Sequence, residues 1–130
     1  MSFVYRLLFA VLYLAGTLYF ALVMLGGGHG TLIFVVPLVT ILAFVAAILL
    51  LDRRSSPWKR VLVVSLVAFH YIFTAIAIYL VESGDGFVHS FTILKYSPLA
   101  FVLPVGWYAT GNILFWVLFW RTRPERTSLR

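Results

Sequence analysis

The sequence predicts an all-α membrane protein whose four transmembrane helices form an antiparallel up-down bundle with both termini on the cytoplasmic side. Three observations lead there. Of the 130 residues, 63% are hydrophobic and 11% charged, whereas roughly a quarter of residues carry charge in soluble globular domains. The charges are clustered between apolar runs of about twenty residues, the length a helix needs to cross a hydrocarbon core of roughly 30 Å. Finally, the basic residues fall on one side of a four-span arrangement. Arg6, the turn with Arg53, Arg54, Lys59 and Arg60, and the tail with Arg121, Arg123, Arg126 and Arg130 share that side, and only Lys95 lies opposite. Lys and Arg in short loops are retained in the cytoplasm, so this asymmetry sets the orientation. An odd number of spans would put the basic tail opposite the basic turn. The expected location is the inner (cytoplasmic) membrane of a bacterium.

A chain of this length allows one domain, here a single transmembrane unit over residues 1–130. The first span is expected at about 5–25. Arg6 ahead of a long apolar run resembles the start of a signal peptide, but the run is too long and ends at Gly26, Gly27 and Gly28 without a small-x-small cleavage site. The turn Gly26 to Gly30 leads into a second span at about 31–51, and so short a connection makes the pair a helical hairpin. A polar turn, 52–60, follows, with Pro57 where a helix can begin. The third span is expected at about 61–81, an outer loop at 82–97, the fourth span at about 98–120, and a cytoplasmic tail at 121–130. Pro104 removes a backbone bond in the outer half of the fourth span, where a bend is expected. Trp58, Trp107, Trp116, Trp120, Tyr5, Tyr79 and Tyr96 lie toward helix ends and read as an interfacial aromatic belt. No internal repeat is evident, so an inverted-repeat transporter is not expected.

Composition excludes several functions. The net charge of +6 comes from residues flanking apolar runs, which is the pattern of orientation signals and anionic-lipid contacts rather than of nucleic-acid binding. The absence of cysteine removes disulfides, thiolate metal sites and thiol redox chemistry. It also rules out the Cys-x-x-Cys pair of vitamin K epoxide reductase relatives. The first span holds no glutamate, as small four-span multidrug exporters require, and Asn112 alone does not make the polar track of a fluoride channel.

Polar residues deep in a span are costly unless partnered, and are the first place to look for function. His70 is the one titratable group well inside a span. At a rise of about 1.5 Å per residue it lies ~15 Å from Arg60, and Asn112 lies ~14 Å from Arg121. Thr17 lies ~16 Å from Arg6 and Thr40 ~18 Å from Asp52 by the same rise. Each helix thus offers one polar side chain to a common mid-membrane layer: Thr17, Thr40, His70 and Asn112. One reading makes these interhelical hydrogen-bonding groups. The other makes His70 an axial ligand to a haem or a chlorophyll-type pigment, since neutral imidazole is a usual ligand for such centres. A bis-histidine haem needs a second deep histidine, which the chain lacks. No carboxylate accompanies His70 within the membrane, so a proton relay is not expected.

On the opposite side His29, Glu82, Asp85 and His89 combine imidazoles and carboxylates that suit a divalent metal, although their spacing matches no known ligand pattern. A hydrolase built on Ser83, Asp85, His89 and Ser90 would lack an elbow motif and defined oxyanion donors. Phe87 and Phe91 in the outer loop, and Gly106, Thr110 and Gly111 on the fourth span, are expected to contact lipid or a partner helix. Pro37, Thr40, Ala43 and Ala47 give the second span a similarly smooth face.

These readings lead to a non-enzymatic accessory subunit of a larger, energy-transducing membrane complex, serving packing, lipid or cofactor enclosure and assembly. Its expected partners are membrane lipids and other membrane subunits, without nucleic acid. The alternatives are a haem- or chlorophyll-binding subunit for electron transport or photosynthesis, with His70 as ligand, and a small oligomeric channel or transporter.

Overall fold

The computed structural model describes residues 2–26, 32–52, 54–84, 95 and 98–124. Within these the chain is all-helical apart from a two-residue strand pair. Helix α1 spans Phe3–Gly26, α2 Leu32–Leu50, α3 Pro57–Gly84 and α4 Pro98–Arg121. Three of the helices contain segments long and apolar enough to cross a membrane: Phe3–Phe20, Pro57–Ala77 and Val102–Arg121. In α2 the apolar stretch among the described side chains is the shorter Thr40–Leu50.

Local chemistry explains the helix ends. Ser56 caps α3: its Oγ accepts the Lys59 amide at 3.4 Å, satisfying one of the amides that a helix start leaves open. Pro57 then takes the first helical position, where its missing N–H costs nothing. The cap begins α3 four residues before the apolar run, and the helix continues to Gly84, into the stretch expected as outer loop. Its 28 residues give a length of ~42 Å, longer than the hydrocarbon core, so its ends extend past the apolar layer. Both α1 and α3 end on glycine. α4 runs without a break through Pro104.

The core lies where α1, α2, α3 and α4 meet. Phe44 is completely buried at its centre. Its ring lies 5.1 Å from Tyr13, 5.2 Å from His70 and 5.0 Å from Phe115, so one α2 side chain touches all three other helices. Ala10, Ile41, Ala47, Ile48, Leu51, Val63, Val67 and Phe119 complete the cluster. The α2 face with Thr40 and Ala47 is buried, and α2 makes its most extensive contact with α3.

Small residues let α1 and α4 interlock. A Cβ at Gly111 would lie 2.0 Å from the Tyr13 ring, and one at Gly16 would lie 2.3 Å from the Trp107 ring. Each helix thus carries a notch for an aromatic side chain of the other, and the Tyr13 and Trp107 rings stack with 6.4 Å between centroids. Between apolar helices in lipid there is no hydrophobic drive to associate, so close packing of this kind holds them together.

Candidate functional site

The polar residues of the interior converge on one network drawn from all four helices. His70 on α3 is 1% exposed. Its Nδ1 lies 3.2 Å from Thr40 Oγ1 on α2, and its Nε2 lies 3.2 Å from the Tyr108 hydroxyl on α4. In a neutral imidazole one nitrogen donates and the other accepts, and a hydroxyl can meet either. Thr40 Oγ1 in turn lies 3.5 Å from Thr74 Oγ1, one helical turn beyond His70.

Asn112 forms the second node. Its Nδ2 donates to the Tyr108 carbonyl at 2.7 Å and to the Tyr13 hydroxyl at 3.3 Å, and its Oδ1 accepts from the Tyr71 hydroxyl. Trp116 Nε1 donates to that same Tyr71 hydroxyl at 3.0 Å. A single amide therefore binds groups from α1, α3 and its own helix. Tyr108 joins the two nodes, its hydroxyl on His70 and its carbonyl on Asn112.

Of the four residues expected in a mid-membrane layer, the structure brings Thr40 and His70 into direct contact and links Asn112 to them through Tyr108. Thr17 does not join. Its Oγ1 donates to the Tyr13 carbonyl of its own helix at 2.8 Å, a bond any threonine can make to the preceding turn. The α1 contribution comes instead from Tyr13.

Sequence reasoning missed Tyr13, Tyr71, Thr74 and Tyr108, and assigned Trp116 to the interfacial belt. Depth was the available signal. A tyrosine seven or more residues from the nearest basic flank has its hydroxyl well below the headgroups and needs an internal partner. Tyr71 adjoins His70, and Tyr108 and Trp116 lie one turn on either side of Asn112. Trp58 and Trp120, by contrast, are 83% and 75% exposed at the basic end, as a belt requires.

The remaining candidates are dispersed. Gly111 is buried against Tyr13, while Gly106 has nothing within 4 Å of where a Cβ would stand and Thr110 is exposed. The two parts of the small-residue surface on α4 thus face different ways. Glu82 falls in the last turn of α3, and His29, Asp85, Phe87, His89 and Phe91 lie outside the described residues. Among the described residues no group of His, Asp and Glu is placed to hold a metal ion.

A second set of polar contacts gathers the basic residues. Arg6, at the start of α1, donates from Nη1 to the Leu49 carbonyl at 2.9 Å and to the Leu51 carbonyl, closing the open end of α2. A guanidinium suits this place because the carbonyl end of a helix carries partial negative charge. Arg60, near the start of α3, donates to Thr122 O at 2.9 Å and Thr122 Oγ1 at 2.7 Å, with its guanidinium 4.5 Å from the Phe119 ring centroid. Beside it, β1 (Arg54–Ser55) pairs in parallel with β2 (Arg123–Pro124), and Lys59 lies 3.7 Å from Asp52.

Chemically the interior is a clamp. Both nitrogens of His70 and all three polar positions of Asn112 are engaged by neighbours. Among the described residues Arg6 Nε is the one buried side-chain polar atom without a partner. A metal centre at His70 would require one of its hydrogen bonds to be given up and the ring to be uncovered. Comparison of the chain with known protein families, with curated proteins and with solved structures found no match.

Proposed function

We propose that this chain is a small accessory subunit of a larger membrane assembly, built as an antiparallel up-down bundle with its basic end in the cytoplasm, whose outer faces pack against other membrane subunits. The observation that carries this reading is the closed hydrogen bonding of the interior. His70, Asn112 and the three tyrosines bind one another and offer nothing to a substrate. Among the described residues the outer faces are apolar and exposed: Leu8, Leu12 and Leu22 on α1, Ile72 and Ile76 on α3, and Leu103 and Ile113 on α4. The grouping of Arg6, Arg60 and the 122–124 segment with the ends of their neighbouring helices supports the orientation, since cytoplasmic ends collect Lys and Arg.

Gentle extraction from native membranes tests the proposal. The chain is expected to migrate with larger membrane proteins, and recovery of a lone monomer would end this reading. The same preparation tests the tetrapyrrole alternative through its absorption spectrum: the packing role of His70 predicts no visible band that His70→Leu removes. The orientation is tested separately, by membrane-impermeant labelling of introduced cysteines at Ser56 and Ser128 in sealed vesicles. Both should be reached from the cytoplasmic side.

A further inference from the structure

One face of α4 carries an open furrow of about 580 Å³, lined by Asn112, Ile113, Trp116, Val117, Trp120 and Arg121. The lining residues recur at helical spacing, so the furrow follows the helix axis rather than crossing it. From Arg121 to Asn112 the rise is ~14 Å, about half of a hydrocarbon core and thus the depth of one leaflet. Its chemistry is graded along that depth. At the basic end stand the exposed Arg121 and the exposed indole of Trp120, residue types that favour the headgroup level. Toward the middle the walls are apolar, and Asn112 at the far end has its amide turned to Tyr13, Tyr71 and Tyr108. Among the described residues no carboxylate pairs with Arg121.

We propose that this furrow seats one acyl chain of an anionic phospholipid, with the headgroup phosphate held by Arg121. The length selects a chain confined to a single leaflet, and the cation at its mouth selects negative charge. Lys59 and Arg60, at the same end of the bundle as Arg121, add to the attraction, since each Lys or Arg near an anionic surface strengthens binding. The proposal is independent of the subunit reading, because a lone protein in a bilayer could bind such a lipid equally well.

The test uses the full chain in nanodiscs of phosphatidylcholine with a minor fraction of phosphatidylglycerol, brominated on the acyl chains of one lipid or the other in turn. Tryptophan fluorescence reports occupancy, because Trp116 and Trp120 line the furrow. Brominated phosphatidylglycerol should quench more than its mole fraction accounts for, and Trp120→Phe should remove part of that excess. Arg121→Gln should lower the preference for phosphatidylglycerol roughly fivefold, the factor one basic residue carries near an anionic surface. Val117→Trp should fill the furrow and abolish the excess, while Lys95→Gln should leave it intact. Equal quenching by the two lipids in the wild-type chain would overturn the proposal, as would an excess that survives both Arg121→Gln and Val117→Trp. The chain has no cysteine, so Ile113→Cys supplies a unique crosslinking point. Complete disulfide dimerisation through it would assign the furrow to a second copy and overturn the lipid.

Discussion

The interior network and the basic end join the same helices by opposite means. Around His70 and Asn112, side chains bind side chains among packed aromatic rings, with His70 itself fully buried. At the basic end, two long arginine side chains, each partly buried, bind mainly backbone carbonyls at helix ends. An interior donor that loses its partner has nothing to replace it, whereas an arginine that loses a carbonyl can turn to water or a headgroup. The interior therefore specifies which helix faces meet, and the basic end tightens an arrangement already chosen.

Substitutions can break or sharpen this contrast, and the largest effect belongs to the interior. Gly111→Leu forces a side chain into the ring of Tyr13, which is buried and has nowhere to go. It is expected to cost about 3 kcal/mol or more in detergent unfolding. Gly106→Leu, on the same helix with open space around it, should stay within about 0.5 kcal/mol. Next comes Asn112→Leu, which strands the Tyr13 and Tyr71 hydroxyls together and should cost about 2 kcal/mol. At the basic end, Arg60→Gln should cost only about 0.5–1 kcal/mol, since water can serve the Thr122 oxygens. A loss equal to that of Asn112→Leu would erase the distinction between the two regions. Smallest is Asp52→Asn, which breaks an exposed ion pair with Lys59; it should change stability by at most about 0.5 kcal/mol, and by less as salt is raised.

How far these features could be read beforehand depended on what kind of information each requires. Apolar runs separated by charge report helices directly, because lipid leaves the backbone no other way to satisfy its amides. Depth along each helix could be counted, which is why His70, Thr40 and Asn112 stood out as a group. Rotation about each helix axis could not be counted. With hydrophobic residues on every face, nothing in the spacing distinguishes the side of α1 that meets α4. The Tyr13–Gly111 and Trp107–Gly16 interlock is therefore invisible in the spacing, as is the fact that Gly111 and Gly106 face different ways. Tyr71 and Tyr108 are hard to single out for another reason: most of a tyrosine is an apolar ring, so its hydroxyl does not stand out in an apolar run. Pro57 already marks the start of α3 ahead of the apolar run, whereas its continuation to Gly84 lies past that run, where hydropathy carries no helix signal. Partner and function depend on the outer faces, whose apolar chemistry is the same for lipid and for protein.

The bond from Arg60 to Thr122 joins residues 62 positions apart. At a translation rate of about 5–20 residues per second, Arg60 is added to the chain several seconds before its acceptor exists. During that interval α1 and α2 are complete, with Arg6 able to close onto Leu49 and Leu51, while α3 is still being made and Arg60 has no Thr122 to bind. The two arginine latches are thus ordered in time by the ribosome, and a chain stalled before Thr122 would display an unlatched guanidinium that a finished one conceals.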